Sequence, residues 1–214
     1  MIQIDDAGSG SLIGGTCIGV YRMETGEYFY DFIPLSLYSK ENFPKKLYLD
    51  CTMSIAKKAL EQLNAKIGEE IHVCPGYMFE KLKEWLSDNH YAWQSVKITG
   101  DFQDILERIF AEYTISLGLP AQYVNYTRYP FHFHKILRWV YADYHSRKRL
   151  CKVGWKSWAK YEGLKVEHTS EYLHSGNYFC LKCGRPLEIP GVVKVLRYVS
   201  NKPNIVYIHE NCGE

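Results

Sequence analysis

Hydrophobic and polar positions divide the first 120 residues into bounded stretches. Ile2 to Ile4, Thr16 to Arg22 and Tyr28 to Ile33 are rich in β-branched and aromatic residues and predict three strands. Gly14-Gly15 and Glu24-Thr25-Gly26-Glu27 are the turns between them, and the second is short enough to predict an antiparallel hairpin. Residues 35–46 form a polar loop containing Pro44. Ile55, Ala56, Ala59, Leu60 and Leu63 recur at helical spacing, predicting a helix from about Thr52 to Asn64 that Asp50 or Thr52 could cap. Glu70 to Cys74 predicts a short strand ended by Pro75-Gly76. Met78, Phe79, Leu82, Trp85 and Leu86 mark the next helix, and Trp93 to Ile98 a further strand closed by Thr99-Gly100. Phe102, Ile105, Leu106, Ile109, Phe110 and Tyr113 then predict a long helix from Asp101 to Leu117, before Gly118 and Pro120.

Residues 131–160 contain no proline and one glycine, Gly154, and predict a helix. Lys135, Arg138, His145, Arg149, Lys152, Lys156 and Lys160 follow one another at intervals of 3, 4 or 7, which places them on one stripe. Ile136, Leu137, Val140, Tyr141 and Tyr144 take the other side, and Trp155 and Trp158 lie near the stripe's end. Near the C-terminus, Val192 to Val199 and Ile205 to Ile208 predict a β-hairpin turning at Ser200-Asn201-Lys202-Pro203. Three regions follow: 1–122, a basic helical segment over 123–165, and a small module over 166–214.

The element order of the first region, three strands and then alternating helix and strand, predicts an α/β fold: a mixed five-stranded sheet flanked by helices. This order resembles the ribonuclease H-like fold. The resemblance places the first strand at the sheet centre, with the strands that follow the helices added beside it.

Composition is that of a globular chain, with 46% hydrophobic and 23% charged residues, and 18 tyrosines suit a partly wet binding surface. No apolar run has the length of a membrane span. Acids at positions 5 and 6 do not fit a signal peptide. Cys17, Cys51, Cys74 and Cys151 stand singly, as reduced cysteines do, and the expected location is cytoplasmic. The net charge of +2 conceals an asymmetry. Residues 1–127 hold 11 Lys/Arg against 17 Asp/Glu, and residues 128–165 hold 10 against 2. A concentrated basic segment with aromatics can follow phosphates and stack on bases, so Lys135, Arg138, Arg149, Lys152 and Lys156 are candidate nucleic-acid contacts. It could also dock on the acidic region. His132 and His134 alternate around Phe133 without an obvious third ligand, and are taken as structural.

Asp5 and Asp6 end the first strand and lead into Ala7-Gly8-Ser9-Gly10. Carboxylates that share divalent ions are what metal-dependent phosphodiester hydrolysis needs. Asp101 and Asp104, on neighbouring turns of one helix face, are the candidate partners, with Asp50 or Glu61 as further acids. Asp5-Asp6-Ala7-Gly8-Ser9-Gly10 is similar to the Asp-Glu-Ala-Gly-x-Gly start of type 2 ribonucleases H, and Gly14 also matches. Asp6 stands where that family has Glu, and Ser11 where it has Pro. The resemblance implies that Asp5 and Asp6 bind Mg²⁺ or Mn²⁺ and that the backbone of Gly8, Ser9 and Gly10 contacts the nucleic-acid strand. Val73-Cys74 occupies the strand end where ribonuclease H-like enzymes commonly place another acid.

Cys180-Leu181-Lys182-Cys183-Gly184 and His209-Glu210-Asn211-Cys212 have the spacing of a tetrahedral zinc site. With the hairpin between them they resemble a zinc ribbon. Four protein ligands leave no open position, so the Zn²⁺ is structural. The module could contact nucleic acid or a protein partner. Two functions are consistent with the chain. One is a metal-dependent nuclease acting on RNA, RNA–DNA hybrid or DNA. The other is a catalytically inactive relative that binds nucleic acid or acts as a protein adaptor.

Overall fold

A computed structural model describes residues 1–213, which divide into two compact units. The first comprises residues 1–9, 14–113 and 152–155, and the second comprises residues 10–13, 114–151 and 156–214. Among the described residues no helix is long and apolar enough to cross a membrane.

The first unit is built on β1 (Ile2–Ala7), β2 (Thr16–Arg22), β3 (Tyr28–Ile33), α1 (Leu47–Gln62), β4 (Ile71–Val73), α2 (Glu80–Asp88), β5 (Trp93–Ser95) and α3 (Asp101–Ser116), the last belonging to it through Tyr113. The sheet order is β3-β2-β1-β4-β5, so β1 is central. β1 pairs antiparallel with β2 and parallel with β4, and β4 pairs parallel with β5. Ile2, Ile4, Ile18, Val20 and Ile33 share one sheet face and meet Ile55, Ala56, Ala59 and Leu60 of α1 and Leu82 and Leu86 of α2. α3 covers the other face. A Cβ on Gly19 would lie 2.4 Å from Leu106 Cδ2, so the missing side chain lets the helix approach β2, and Phe102 stacks on Tyr21 at 5.1 Å.

Several boundaries differ from the sequence expectation, and β1 runs past Ile4 to Ala7, taking in Asp5 and Asp6. α1 starts at Leu47, after Lys46 in the left-handed region (φ 55°), so neither Asp50 nor Thr52 is a cap; the Thr52 hydroxyl instead donates back to the Tyr48 carbonyl at 2.9 Å. β5 is three residues long and stops at Ser95.

The second unit holds α4 (Ala121–Tyr126), α5 (Phe133–Ala142), α6 (Tyr144–Arg147), α7 (Lys156–Tyr161), β6 (Glu167–Leu173), β7 (Gly191–Val199) and β8 (Pro203–His209). Residues 131–160 are therefore not one helix. Asp143 leaves helical geometry (φ −154°, ψ 66°), and Cys151 is extended after a 3-10 turn at Lys148–Leu150. The expected hairpin forms as β7 and β8, and β6, not anticipated from sequence, completes an antiparallel β6-β7-β8 sheet. Tyr141 anchors this unit. Its ring lies 4.6 Å from that of Tyr198, and its hydroxyl donates to the Tyr161 carbonyl at 2.6 Å.

Candidate functional site

Strand alternation points Asp5 and Asp6 toward opposite sheet faces. At the strand end they converge nevertheless. One carboxylate oxygen of each and the Cys74 thiol lie within 4.8 Å of one another, a grouping able to hold a metal ion. Cys74 reaches this point because its amide donates to the Ile4 carbonyl at 2.9 Å, extending the β1–β4 ladder by one residue. Burial pushes the Asp5 carboxyl up to about 6. Hydrogen bonds from the Cys74 thiol and the Asp6 amide oppose that rise, while the charges of Asp6 and Glu107 add to it. Asp6 is raised by burial too, against a hydrogen bond from the Ser9 amide at 3.3 Å and the charge of Lys152. The Cys74 thiol is raised to about 12, by burial and by donating to Asp5. With no metal bound it is a hydrogen-bond donor to Asp5 rather than a thiolate.

Lys152 completes the surroundings of Asp6. It is fully buried, and its Nζ donates to the Gly8 carbonyl at 2.7 Å and to Thr16 Oγ1 at 3.1 Å. It also lies over the Tyr38 and Trp155 rings at 4.5 and 5.0 Å. Burial lowers its pKa to about 7, and the charge of Asp6 works against that fall. The strap carrying it is held by the Gly154 amide, which donates to the Tyr38 carbonyl at 2.8 Å. Lys152 is thus an interior residue beside the acidic pair and not part of a surface stripe. Nothing in its spacing distinguishes it from the exposed lysines around it.

Among the described residues, Asp101 and Asp104 belong to no group able to share a metal; both are exposed in the first turn of α3. The α3 carboxylate whose charge reaches Asp5 is Glu107. It lies between Leu106, which fills the space over Gly19, and Phe110, whose Cε2 is 2.1 Å from where a Cβ on Gly8 would be. The two glycines set which turn of α3 comes near β1, a fact visible only once strand and helix are paired. Of the glycine-rich turn, Gly8 (φ 85°) is closed in by Phe110, the Ser9 amide is engaged by Asp6, and a Cβ on Gly10 would meet nothing within 4 Å.

In the second unit several basic side chains bind backbone carbonyls. Arg147 is buried and donates to the carbonyls of Trp139 (2.6 Å), Leu181 (2.9 Å) and Lys182 (2.6 Å), with its guanidinium 4.0 Å over the Trp139 ring. Arg138 Nη2 donates to the Ile205 carbonyl at 2.8 Å, and Lys135 Nζ to that of Arg128. Arg149, in the 3-10 turn, and Lys156, opening α7, are exposed.

Cys180, Cys183, His209 and Cys212 converge with one ligand atom each within 4.8 Å of the others, and could hold a metal such as zinc. Cys183 Sγ and Cys212 Sγ lie 3.2 and 3.6 Å from His209 Nδ1. His209 Nε2 is 2.9 Å from the Pro186 carbonyl, an outer bond that orients the ring and assigns Nδ1 to the metal side. The knuckle is closed by Gly184 (φ 76°), whose amide donates to the Cys180 carbonyl at 2.8 Å. Burial opposes ionisation of Cys183, but hydrogen bonds from the Arg185 amide and side chain and from the neighbouring cysteines hold its thiol down to about 6. A thiolate is the form that ligates.

No protein-family model matches the chain, and no curated protein is significantly similar to it in sequence.

Proposed function

We propose that the chain acts on nucleic acid, and that its first unit is a ribonuclease H-like domain hydrolysing phosphodiester bonds with a divalent cation. The observation that carries this reading is the meeting of Asp5 and Asp6 at the end of the central strand of a β3-β2-β1-β4-β5 sheet. Two carboxylates supply the oxygen donors that a hard cation prefers. Asp5 and Asp6 would hold Mg²⁺ or Mn²⁺, which when bound activates water and offsets charge on the phosphate. Glu107 adds negative potential on the α3 side of Asp5. Lys152 fixes the Gly8 carbonyl and supplies a positive charge beside Asp6. The C-terminal Cys/His group reads as a structural zinc ribbon, since protein supplies all four ligands.

A second reading, a non-catalytic nucleic-acid-binding or adaptor protein, is favoured by Cys74, a neutral thiol at a strand end where related enzymes commonly place a carboxylate. Incubation of the purified protein with RNA, RNA–DNA hybrid and branched DNA in Mn²⁺ separates the two. The nuclease reading expects cleavage that falls at least 100-fold in Asp5→Asn and Asp6→Asn. Absence of cleavage on all three substrates selects the non-catalytic reading, and equal rates in wild type and variants remove these carboxylates from the reaction.

A further inference from the structure

The second unit carries a cleft of about 500 Å³ between the start of α5 and the β7–β8 turn. Lys135, Arg138 and Lys202 line it together with His132, His134 and Tyr129, and no carboxylate is among its lining residues. Arg138 is anchored there by one nitrogen, Nη2, on the Ile205 carbonyl, while its Nε is buried with no hydrogen-bond partner. His134 senses the same field: burial first, then the charges of His132, Lys160 and Lys202, lower its pKa and favour the neutral ring. α5 starts at this cleft, with His132 at its cap position, so the positive end of the helix dipole adds to the side-chain charges.

Tyr129 gives the cleft a second character. It is 68% exposed and has a left-handed backbone (φ 54°), which a tyrosine rarely adopts. Arg128 stacks on its ring at 5.0 Å. Backbone strain of this kind clusters at ligand-binding and active sites. Cations that accept phosphate, next to a free aromatic face, match a strand whose bases are unpaired; in a duplex the base faces are buried in the stack.

We propose that this cleft binds the phosphate backbone of single-stranded nucleic acid, with Lys202, Arg138 and Lys135 facing phosphate and Tyr129 stacking on a base. The identity of the ligand rests on the nucleic-acid reading above. The site itself does not depend on Asp5 or Asp6.

The test uses the full-length Asp5→Asn protein without added Mg²⁺ or Mn²⁺, so that no cleavage intervenes. Fluorescence anisotropy reads its binding to a labelled 12-nucleotide single strand. Lys202→Glu, at an exposed turn position, is expected to weaken binding about 10-fold and to flatten the salt dependence by about one phosphate contact. Tyr129→Ala is expected to weaken it about 5-fold or more. Lys165→Glu, an equal charge reversal outside the cleft in the same unit, is expected to change affinity less than 2-fold, and thermal melting confirms that each variant is folded. Unchanged affinity in both cleft variants overturns the proposal. So does equal weakening by Lys165→Glu, which would indicate diffuse charge, or equally effective competition by a duplex of the same sequence. A wild-type protein that cleaves nothing yet binds the strand in the cleft would sink only the nuclease reading.

Discussion

At the residue scale, the acidic pair is held at a cost that can be measured. A carboxyl whose pKa is about 6 in the folded chain and 3.8 when unfolded binds protons more tightly folded than unfolded. The folded state is therefore penalised as pH rises, with nothing lost below about 3.8 and the full penalty, about 3 kcal/mol, reached above about 6. Metal-free Asp5→Asn should accordingly be more stable than wild type by about 2–3 kcal/mol at pH 7.5, with the difference shrinking to near zero by pH 4. Urea denaturation of both proteins across that range gives the answer; a variant less stable at pH 7.5 would mean that Asp5 is retained for folding. The same result protects the cleavage test, because a more stable Asp5→Asn that loses activity has not lost it by unfolding. Lys152 follows the opposite logic. Its charge is disfavoured by burial, yet it is kept next to Asp6 and bound to Gly8 and Thr16, so replacing it would leave the part-buried Gly8 carbonyl without its donor.

At the element scale, the basic segment shows how far a sequence pattern carries and where it stops. Strand order in the first unit is legible because its hydrophobic runs are short, bounded by glycine turns, and separated by amphipathic helices of ordinary length. The break at Asp143 is not, because no proline or glycine marks it. Asp143 departs from the helix where Arg147 turns inward to bind the Trp139, Leu181 and Lys182 carbonyls, and those partners lie up to 35 residues away. The Cys/His spacing is local and reads directly, whereas the clamp that steadies it does not. Leu181 and Lys182 are the residues between Cys180 and Cys183, so Arg147 holds the metal knuckle by its backbone. Arg147→Met strips three carbonyls of a charged donor and should destabilise the second unit by roughly 2–4 kcal/mol. It should also speed zinc transfer to a chromogenic chelator about 10-fold or more, as loss of outer-shell support does elsewhere. An unchanged transfer rate would show that the knuckle needs no such clamp.

At the scale of the whole molecule, the two units exchange segments. Residues 10–13 belong to the second unit although both flanks, 1–9 and 14–113, lie in the first. Residues 152–155 belong to the first although both flanks, 114–151 and 156–214, lie in the second. Within the second unit Ile13 forms an antiparallel bridge with Cys151; within the first, the next residue, Lys152, is bonded to Gly8. Unfolding either unit thus pulls on a segment the other needs: loss of the second frees the chain on both sides of Lys152, and with it the buried donor to Gly8 and Thr16. Cooperativity should therefore span the chain, unlike that of domains joined by one linker. A metal held by Cys180, Cys183, His209 and Cys212 would stabilise the second unit by mass action, and its removal should be felt in β1 and β2. Hydrogen exchange read by mass spectrometry, before and after zinc is stripped with a chelator, measures this directly. The expected result is faster exchange in peptides covering Ile2–Ala7 and Thr16–Arg22 together with those covering β7 and β8. Faster exchange confined to residues 166–213 would show instead that the exchanged segments transmit nothing, and that the acidic end of β1 keeps its geometry whether or not the C-terminal metal is bound.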